Sequence, residues 1–299
     1  MNEQQVLDAG GWRTSYLELG DPSAPTVVLL HDGAYGATAE LSWGDVANRL
    51  SDRYHILAPD MLGWGGSDKV VYFDRPPYAS RLAQVAAFCR ELGVSDARFV
   101  GVSFGGSVLL RALVEEPMPF PVSLAVALNA TGGPFRRPEQ SAALGDYAVP
   151  SLEAARKITS LLVDDVAPFE DHVAARYERS LIPGHWEAMT AAALRNPSLP
   201  PLPPPADFLT QLAAVTVPVV YVEGTNDKLL EPGWSNRMSA ATPGSRAITA
   251  PFSHEPNIDA PGALTELLVQ LFEEAGDLKS TAQRRATTYV TQPEQKPRR

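Results

Sequence analysis

The sequence has little of what secreted and membrane-spanning proteins depend on. Its 299 residues contain a single cysteine, Cys89, so no disulfide can close within the chain, which fits a reducing compartment. No apolar run approaches the roughly 20 residues of a membrane span. The polar start "MNEQQVLDAGG" also lacks the charged-then-apolar order of a signal peptide. We therefore expect a cytoplasmic protein with no membrane partner.

Basic residues are scarce as well. The chain carries 25 Lys and Arg against 35 Asp and Glu, a formal net charge of -10. Nucleic-acid binding needs clustered cations, so we expect no nucleic-acid partner. The chain is long enough for one large α/β domain or two small ones, and apolar residues make up 44% of it, enough to fill a core. The composition leaves a homodimer open.

Short apolar runs alternate along the chain with helical patterns. The runs are residues 26–31, 55–60, 97–103, 123–131, 217–224 and 245–252. Continuous apolar character predicts strands that are covered on both faces, and hence a mainly parallel sheet. Helical patterns such as "SWGDVANRLSDR" and "PGALTELLVQLFEE" lie between and after the runs. The predicted fold class is α/β, with helices on both faces of the sheet.

This alternation stops between residues 134 and 205. Helical patterns replace strand patterns there, and the segment ends in the proline-rich stretch "NPSLPPLPPPADF", which predicts a stiff connector. We therefore expect a core of residues 1–133 and 206–276 with a helical cap at 134–205. The polar residues 277–299 show no sustained periodicity and predict a disordered tail.

A serine stands between glycines in "GVSFGG", residues 101–106. An apolar strand pattern precedes this G-x-S-x-G motif and a helix pattern follows it, which is the context of a nucleophile elbow. We predict Ser103 as a catalytic nucleophile. The alternative is an ordinary serine that caps the helix.

A serine nucleophile needs a base and an acid that orients the base. Of the five histidines, only His254 follows the last strand pattern and precedes the closing helix, so we predict it as the base. Asp227, just beyond the penultimate strand, is the predicted acid. Glu223 and the pair Asp164 and Asp165 remain as alternatives. No metal or organic cofactor is expected.

The oxyanion of a tetrahedral intermediate needs two hydrogen-bond donors. The residue after the nucleophile, Phe104, supplies one backbone amide in this motif. The loop "HDGAYGA", residues 31–37, follows the first apolar strand and has small residues that leave an amide accessible. We predict the amide of Gly33 as the second donor; the alternative is that the loop is a plain turn.

With these motifs the sequence resembles the α/β-hydrolase superfamily over residues 4–275. The segment "APDMLGWGGSDK", residues 58–69, is similar to a structural loop of that family, and the predicted cap has the family position. The resemblance implies the α/β-hydrolase fold.

Within the superfamily the chain resembles the carbon–carbon bond hydrolases that cleave ring-opened aromatic dienoates. The resemblance implies that Arg176, which precedes Tyr177, reaches down from the cap to the substrate; otherwise it is a solvated charge that pairs with Asp171 or Glu178. Ala34, Tyr35 and Trp186 are further expected substrate contacts. Val102 and Glu255 depart from the pattern, which has Asn and Trp there.

We predict a serine hydrolase that acts on a small to medium apolar carbonyl compound, first an ester or lactone. Cleavage of a carbon–carbon bond in a vinylogous diketone is the second hypothesis. A third, of another class, is an α/β-hydrolase-like ligand receptor with slow turnover. A non-catalytic scaffold fits the intact set of triad residues poorly.

Overall fold

Eight strands form one sheet in the computed structural model, which describes residues 4–145, 149–191, 194, 196–198 and 207–290, without the side chains of Ser141 and 276–290. The strands are β1 (Gln5–Asp8), β2 (Arg13–Leu19), β3 (Thr26–Leu30), β4 (His55–Pro59), β5 (Ala97–Val102), β6 (Val122–Leu128), β7 (Val219–Gly224) and β8 (Arg246–Ala250). Their order across the sheet is β1-β2-β4-β3-β5-β6-β7-β8.

Strands β3 to β8 run parallel to one another, and each coincides with one of the predicted apolar runs. Their carboxyl ends therefore lie along one edge of the sheet, where ligand sites of such sheets form. Strands β1 and β2 are antiparallel additions at the other side of β4. The sequence prediction did not include this pair.

Helices cover both faces of the sheet. They are α1 (Ala39–Leu50), α2 (Pro77–Glu91), α3 (Phe104–Leu113), α4 (Pro138–Gly145), α5 (Leu152–Leu162), α6 (Glu170–Ser180), α7 (His185–Thr190), α8 (Phe208–Leu212), α9 (Trp234–Ala241), α10 (Pro256–Asp259) and α11 (Pro261–Val290). Helices α1 and α11 pack on one face, and α2, α3, α8 and α9 on the other. Within β3, Val27 and Val28 enter opposite cores, so both faces of the strand are buried.

The insertion between β6 and β7 contains helices α4 to α7 and a short 3-10 helix, Ala167–Phe169. We call residues 134–205 the cap segment. Helices α5 and α6 of this segment coincide with its predicted helical patterns. Most of the proline-rich exit, residues 199–206, lies outside the described residues.

The last helix differs from the prediction of a disordered tail. Helix α11 begins at Pro261 and continues to Val290, so it includes residues 277–290. Its first turns pack Leu264, Leu268 and Phe272 into the core, and the Ala, Gln, Lys and Arg residues that follow favour helical backbone. Residues 291–299 lie outside the described residues. No helix in the described ranges combines the length and apolar character needed to cross a bilayer.

The single cysteine lies in the core. Cys89 is buried on α2. Burial raises the pKa of its thiol to about 12, so the thiolate that would react is not formed at neutral pH.

Candidate active site

Ser103 lies at the sharp turn between β5 and α3. Its backbone has φ 52° and ψ -113°, a conformation that costs free energy for a residue with a Cβ and is found mainly at functional sites. The residue occupies the N-cap position of α3, but its side chain makes no capping hydrogen bond. The structure therefore does not support the alternative that Ser103 caps α3 with its side chain.

The glycines after Ser103 let the helix start lie directly against the sheet. A Cβ on Gly105 would lie 2.3 Å from the backbone oxygen of Leu30, and a Cβ on Gly106 would lie 2.4 Å from Cβ of Ala130. These distances exclude any side chain at either position. The turn can therefore form only with the glycines that the motif contains.

His254 and Asp227 meet beyond the carboxyl ends of β8 and β7. The Nδ1 atom of His254 lies 2.9 Å from Oδ2 of Asp227, and both side chains are buried. Burial would raise the pKa of Asp227, but His254 and the amides of Leu229 and Leu230 together hold this pKa below its ordinary value. Asp227 is thus an ionised partner that orients the imidazole, with its other oxygen fixed 2.7 Å from the Leu229 amide.

Asn129 braces the turn that carries His254. Its Nδ2 donates to the carbonyl oxygens of Ser253, at 2.8 Å, and His254, at 2.9 Å. Its Oδ1 accepts a hydrogen bond from the amide of Gly224 at 2.7 Å. We did not predict this role of Asn129 from the sequence. The one indication of it is that a polar side chain directly follows the apolar strand β6.

The alternative acids have other partners. The carboxylate of Glu223 accepts hydrogen bonds from the amides of Gly233 and Ser235 at the start of α9. Asp164 is exposed and accepts a hydrogen bond from Asn226, and Asp165 accepts one from Ala167. Asp227 is the carboxylate that the fold brings to His254.

Two of the other histidines are buried structural groups. Nε2 of His31 accepts from the amide of Met61 while Nδ1 donates to the carbonyl of Asp32. Nε2 of His185 accepts from the amide of Gly36 while Nδ1 donates to the carbonyl of Gly63. Burial lowers the pKa of both rings, so they are neutral and have fixed tautomers.

The remaining two histidines also have protein partners. Nε2 of His55 lies 2.8 Å from the Glu18 carboxylate. His172 lies 3.4 Å from the guanidinium of Arg176. Burial and that cation lower the pKa of His172 to about 3.

Gly33 and Phe104 lie against each other beside Ser103. A Cβ on Gly33 would lie 2.6 Å from Cβ of Phe104, so only glycine allows this approach. Neither backbone amide donates to another described part of the chain. The Gly33 loop is fixed instead by its neighbours, because Asp32 accepts from the amide of Ala34 at 2.8 Å and Trp64 donates to the carbonyl of Ala34 at 3.0 Å.

These groups surround a cavity of about 300 Å³ between the sheet edge and the cap segment. Ser103 and His254 both line it, and Nε2 of His254 has no hydrogen-bond partner among the described residues. Ala34 and Tyr35, two of the expected substrate contacts, also line the cavity. The other lining residues are Asp32, Gly33, Phe104, Ser107, Asn129, Ala130, Thr131, Arg136, Leu144, Gly145, Leu162, Met189, Leu229, Leu230 and Glu255.

Arg176 requires a correction. It was expected either to reach the substrate or to be solvated beside Asp171 or Glu178, but it is fully buried and does not line the cavity. Its guanidinium lies 3.4 Å from Asp32 and 3.7 Å from Glu255. Both of these acids line the cavity, whereas Arg176 contacts them and does not line it.

Trp186 is also placed differently from the prediction. It is half-buried and packs beside Ala34 and Tyr35 in an apolar cluster with residues of α5. It is not among the residues that line the cavity. The ring of Trp186 packs against the loop that contains Ala34 and Tyr35, and it is this loop that lines the cavity.

Glu255 lies in the site although we did not predict it as a site residue. It follows His254, is fully buried and lines the cavity. Burial and the neighbouring Asp32 raise the pKa of Glu255 well above its ordinary value, although Arg176 opposes the shift. This shift favours the uncharged carboxylic acid over the carboxylate.

The charged side chains of the site do not form a metal centre. Within the described ranges, no group of three or more His, Cys, Asp and Glu side chains is arranged to hold a metal ion.

The sequence model of the alpha/beta hydrolase family matches residues 27–267. Two relatives are, by name, hydrolases of 2-hydroxy-6-oxo acids. A 2-hydroxy-6-oxo-2,4-heptadienoate hydrolase of Pseudomonas putida is 30% identical over 194 residues, 62% of this chain and 66% of that protein, which is just under two thirds of its length. A 2-hydroxy-6-oxononadienedioate/2-hydroxy-6-oxononatrienedioate hydrolase of Cupriavidus pinatubonensis is 25% identical over 265 residues, 82% of this chain and 89% of that protein.

A solved structure confirms the architecture. The 2-hydroxy-6-oxo-6-phenylhexa-2,4-dienoate hydrolase from Rhodococcus sp. strain RHA1 superposes with a TM-score of 0.77 at 22% identity, over 91% of this chain and 99% of that chain. At this identity the likeness establishes the fold alone. The predicted α/β-hydrolase fold, a mainly parallel sheet with helices on both faces, is thus confirmed.

Proposed function

Because this chain is an enzyme of the alpha/beta hydrolase family, we propose that it is a serine hydrolase with the triad Ser103, His254 and Asp227. The 2.9 Å contact between His254 and Asp227 and the strained backbone of Ser103 support this assignment. The unpartnered Nε2 of His254 and the hydroxyl of Ser103 face the same cavity. A substrate carbonyl bound there meets both groups.

The first half of the reaction forms an acyl-enzyme. Oγ of Ser103 attacks the carbonyl carbon while Nε2 of His254 takes the hydroxyl proton, and Asp227 stabilises the imidazolium. The carbonyl oxygen becomes an anion held by the amides of Gly33 and Phe104, the second of which also lies at the positive end of α3. The tetrahedral intermediate collapses as His254 protonates the leaving group.

The second half releases the acyl group. Water enters where the leaving group departed, and His254 removes one of its protons as the oxygen attacks the acyl carbon. The same two amides hold the second oxyanion. Collapse of this intermediate returns the proton to Ser103 and releases the acid.

We assign an uncharged ester or lactone as the substrate. The observation that carries this assignment is the pairing of Arg176 with Asp32 and Glu255 behind the cavity wall. A substrate carboxylate placed there would meet an ionised Asp32 rather than a free cation, and like charges repel strongly in a buried site. A cavity of about 300 Å³ fits a small to medium molecule.

The second candidate is hydrolysis of a carbon–carbon bond in a ring-opened dienoate, which the names of the relatives favour. Such a substrate carries a carboxylate and needs a cation. Arg136 is the only Arg or Lys among the described residues that line the cavity, and it is exposed at the cavity surface. A dienoate would therefore bind with its carboxylate at Arg136.

A substrate panel separates the two candidates. Aryl esters, lactones and ring-opened dienoates are compared by kcat/KM for the wild type, Arg136→Gln and Ser103→Ala. We expect kcat/KM of the wild type to be higher for esters or lactones than for dienoates. Arg136→Gln should change kcat/KM for the neutral substrates by no more than about threefold. A preference for dienoates that Arg136→Gln lowers by tenfold or more would establish the second candidate instead.

A further inference from the structure

Glu255 and Asp32 form a buried carboxyl pair beside Arg176. Neither oxygen of Glu255 receives a hydrogen bond from a described residue. The guanidinium of Arg176 lies 3.7 Å from Glu255 and 3.4 Å from Asp32, so the two carboxyl groups flank the same cation. Two ionised carboxylates cannot satisfy each other, because each has only acceptor atoms. One proton on Glu255 turns the contact into a donor–acceptor hydrogen bond.

Charge balance places that proton on Glu255 rather than on Asp32. An ionised Asp32 and the cation of Arg176 cancel, so a neutral Glu255 leaves the buried group uncharged, whereas an ionised Glu255 leaves an uncompensated negative charge. Asp32 is the better anion of the two. Its oxygens accept from Ser42 at 2.6 Å, from the amide of Ala34 at 2.8 Å and from Arg176 at 3.4 Å.

The pair joins three parts of the site that are distant in sequence. Asp32 precedes Gly33, the predicted oxyanion donor, and Glu255 follows His254. Arg176 lies on α6 of the cap segment and also donates to the carbonyl of Tyr35. The backbone of Glu255 makes a second link to the cap segment, since its amide donates to the carbonyl of Leu162 at 2.9 Å.

We propose that Glu255 is a positioning residue for the oxyanion hole: as a neutral acid it donates a hydrogen bond to Asp32 and so fixes the loop that presents the Gly33 amide. The inference rests on the proposed role of that amide. Ionisation of Glu255 replaces the hydrogen bond with repulsion and releases the loop. The described ionisable groups near Glu255 are Asp32, Arg176, His172, Asp259, His31 and His254.

The test compares Glu255→Gln with Glu255→Met on one neutral aryl ester. Glutamine keeps a donor for Asp32, and methionine has none. We expect kcat of Glu255→Gln to exceed that of Glu255→Met by at least about tenfold, with the KM values within about threefold of each other. We also expect the wild type to lose kcat at alkaline pH, as Glu255 ionises, and Glu255→Gln to lack this loss.

The outcomes separate this inference from the proposed function. A fluorophosphonate that labels Ser103 in the wild type while the two variants have equal kcat would overturn the positioning role and leave the hydrolase intact. Absence of labelling in the wild type would instead remove the proposed function. If circular dichroism shows that Glu255→Met does not fold, the test is the loss of kcat at alkaline pH in the wild type and in Glu255→Gln. The same alkaline loss of kcat in Glu255→Gln would refute the inference.

Discussion

Arg176 and Asp32 form a fully buried ion pair, with Nη1 of the arginine 3.4 Å from Oδ1 of the aspartate. One residue lies on α6 of the cap segment and the other immediately precedes Gly33. The backbones meet nearby as well, since a Cβ on Gly36 would lie 1.9 Å from the carbonyl oxygen of Arg176. The cap segment is therefore part of the scaffold that shapes the Gly33 loop.

Removal of the arginine should cost stability. Arg176→Met leaves the charge of Asp32 buried without its cation, which we expect to lower the free energy of unfolding by about 3–5 kcal/mol. Urea denaturation measures it. Arg179→Met is the matched control on the same helix, because Arg179 pairs with Glu40 at the surface, and we expect it to cost under about 1 kcal/mol. Equal costs for the two variants would contradict the buried pair.

His172 should make the protein less stable in acid. Its pKa of about 3 in the folded state lies below that of an unfolded histidine, about 6.5. Below pH 6.5 the unfolded chain therefore binds a proton that the folded chain does not. We expect the wild type to lose about 1.4 kcal/mol per pH unit relative to His172→Gln as the pH falls below 6.5. A constant difference between pH 7.5 and 4.5 would show that His172 is protonated in the folded state.

Glu255 should have the opposite pH dependence. Its pKa in the folded state is raised, so above the unfolded pKa of about 4.3 the folded chain keeps a proton that the unfolded chain releases. Stability of the wild type relative to Glu255→Gln should therefore fall with rising pH, by about 1.4 kcal/mol per unit, until the folded-state pKa is reached. Denaturation at pH 5 and pH 8 measures the change. If the wild type were more stable relative to Glu255→Gln at pH 8 than at pH 5, Glu255 could not be uncharged in the folded state.

The approach of Gly33 to Phe104 should be essential for turnover. In Gly33→Ala the new Cβ would lie 2.6 Å from Cβ of Phe104, and separation of the two residues displaces both oxyanion amides. We expect kcat to fall at least about tenfold. Gly44→Ala is the control, because nothing lies within 4 Å of a Cβ there, and an alanine inside α1 should stabilise the helix by about 0.5–1 kcal/mol. An active Gly33→Ala enzyme would exclude Gly33 as a donor.

The parallel part of the fold could be predicted because a strand that is buried on both faces has a continuous run of apolar residues in the sequence. The central strands β3 to β7 are buried and largely apolar, and Ser103 and Asp227 directly follow β5 and β7. Strand β1 is largely exposed and has only two apolar residues, and β2 contains the buried polar residues Thr14 and Ser15, so neither strand has such a run. The missed strands are thus those whose sheet position gives no continuous apolar signal.

The environment of Arg176 could not be predicted from the sequence. Asp32 is 144 positions away along the chain, and neither residue has a neighbour that reveals the pairing. A helical arginine beside Asp171 and Glu178 has the local pattern of a solvated charge. Only the packing of α6 on the Gly33 loop removes it from water. Asn129 escaped prediction for a similar reason, because its partners belong to two other strand ends.

The covalent adduct of a fluorophosphonate tests the central assignment most directly. The labelled protein is digested and the modified peptide is sequenced by mass spectrometry, for the wild type, Ser103→Ala and the control Ser107→Ala, whose serine lines the same cavity. We expect one adduct, on Ser103, in the wild type and in Ser107→Ala, and none in Ser103→Ala. An adduct on another residue, or turnover of a neutral ester by Ser103→Ala at the wild-type rate, would contradict the assignment.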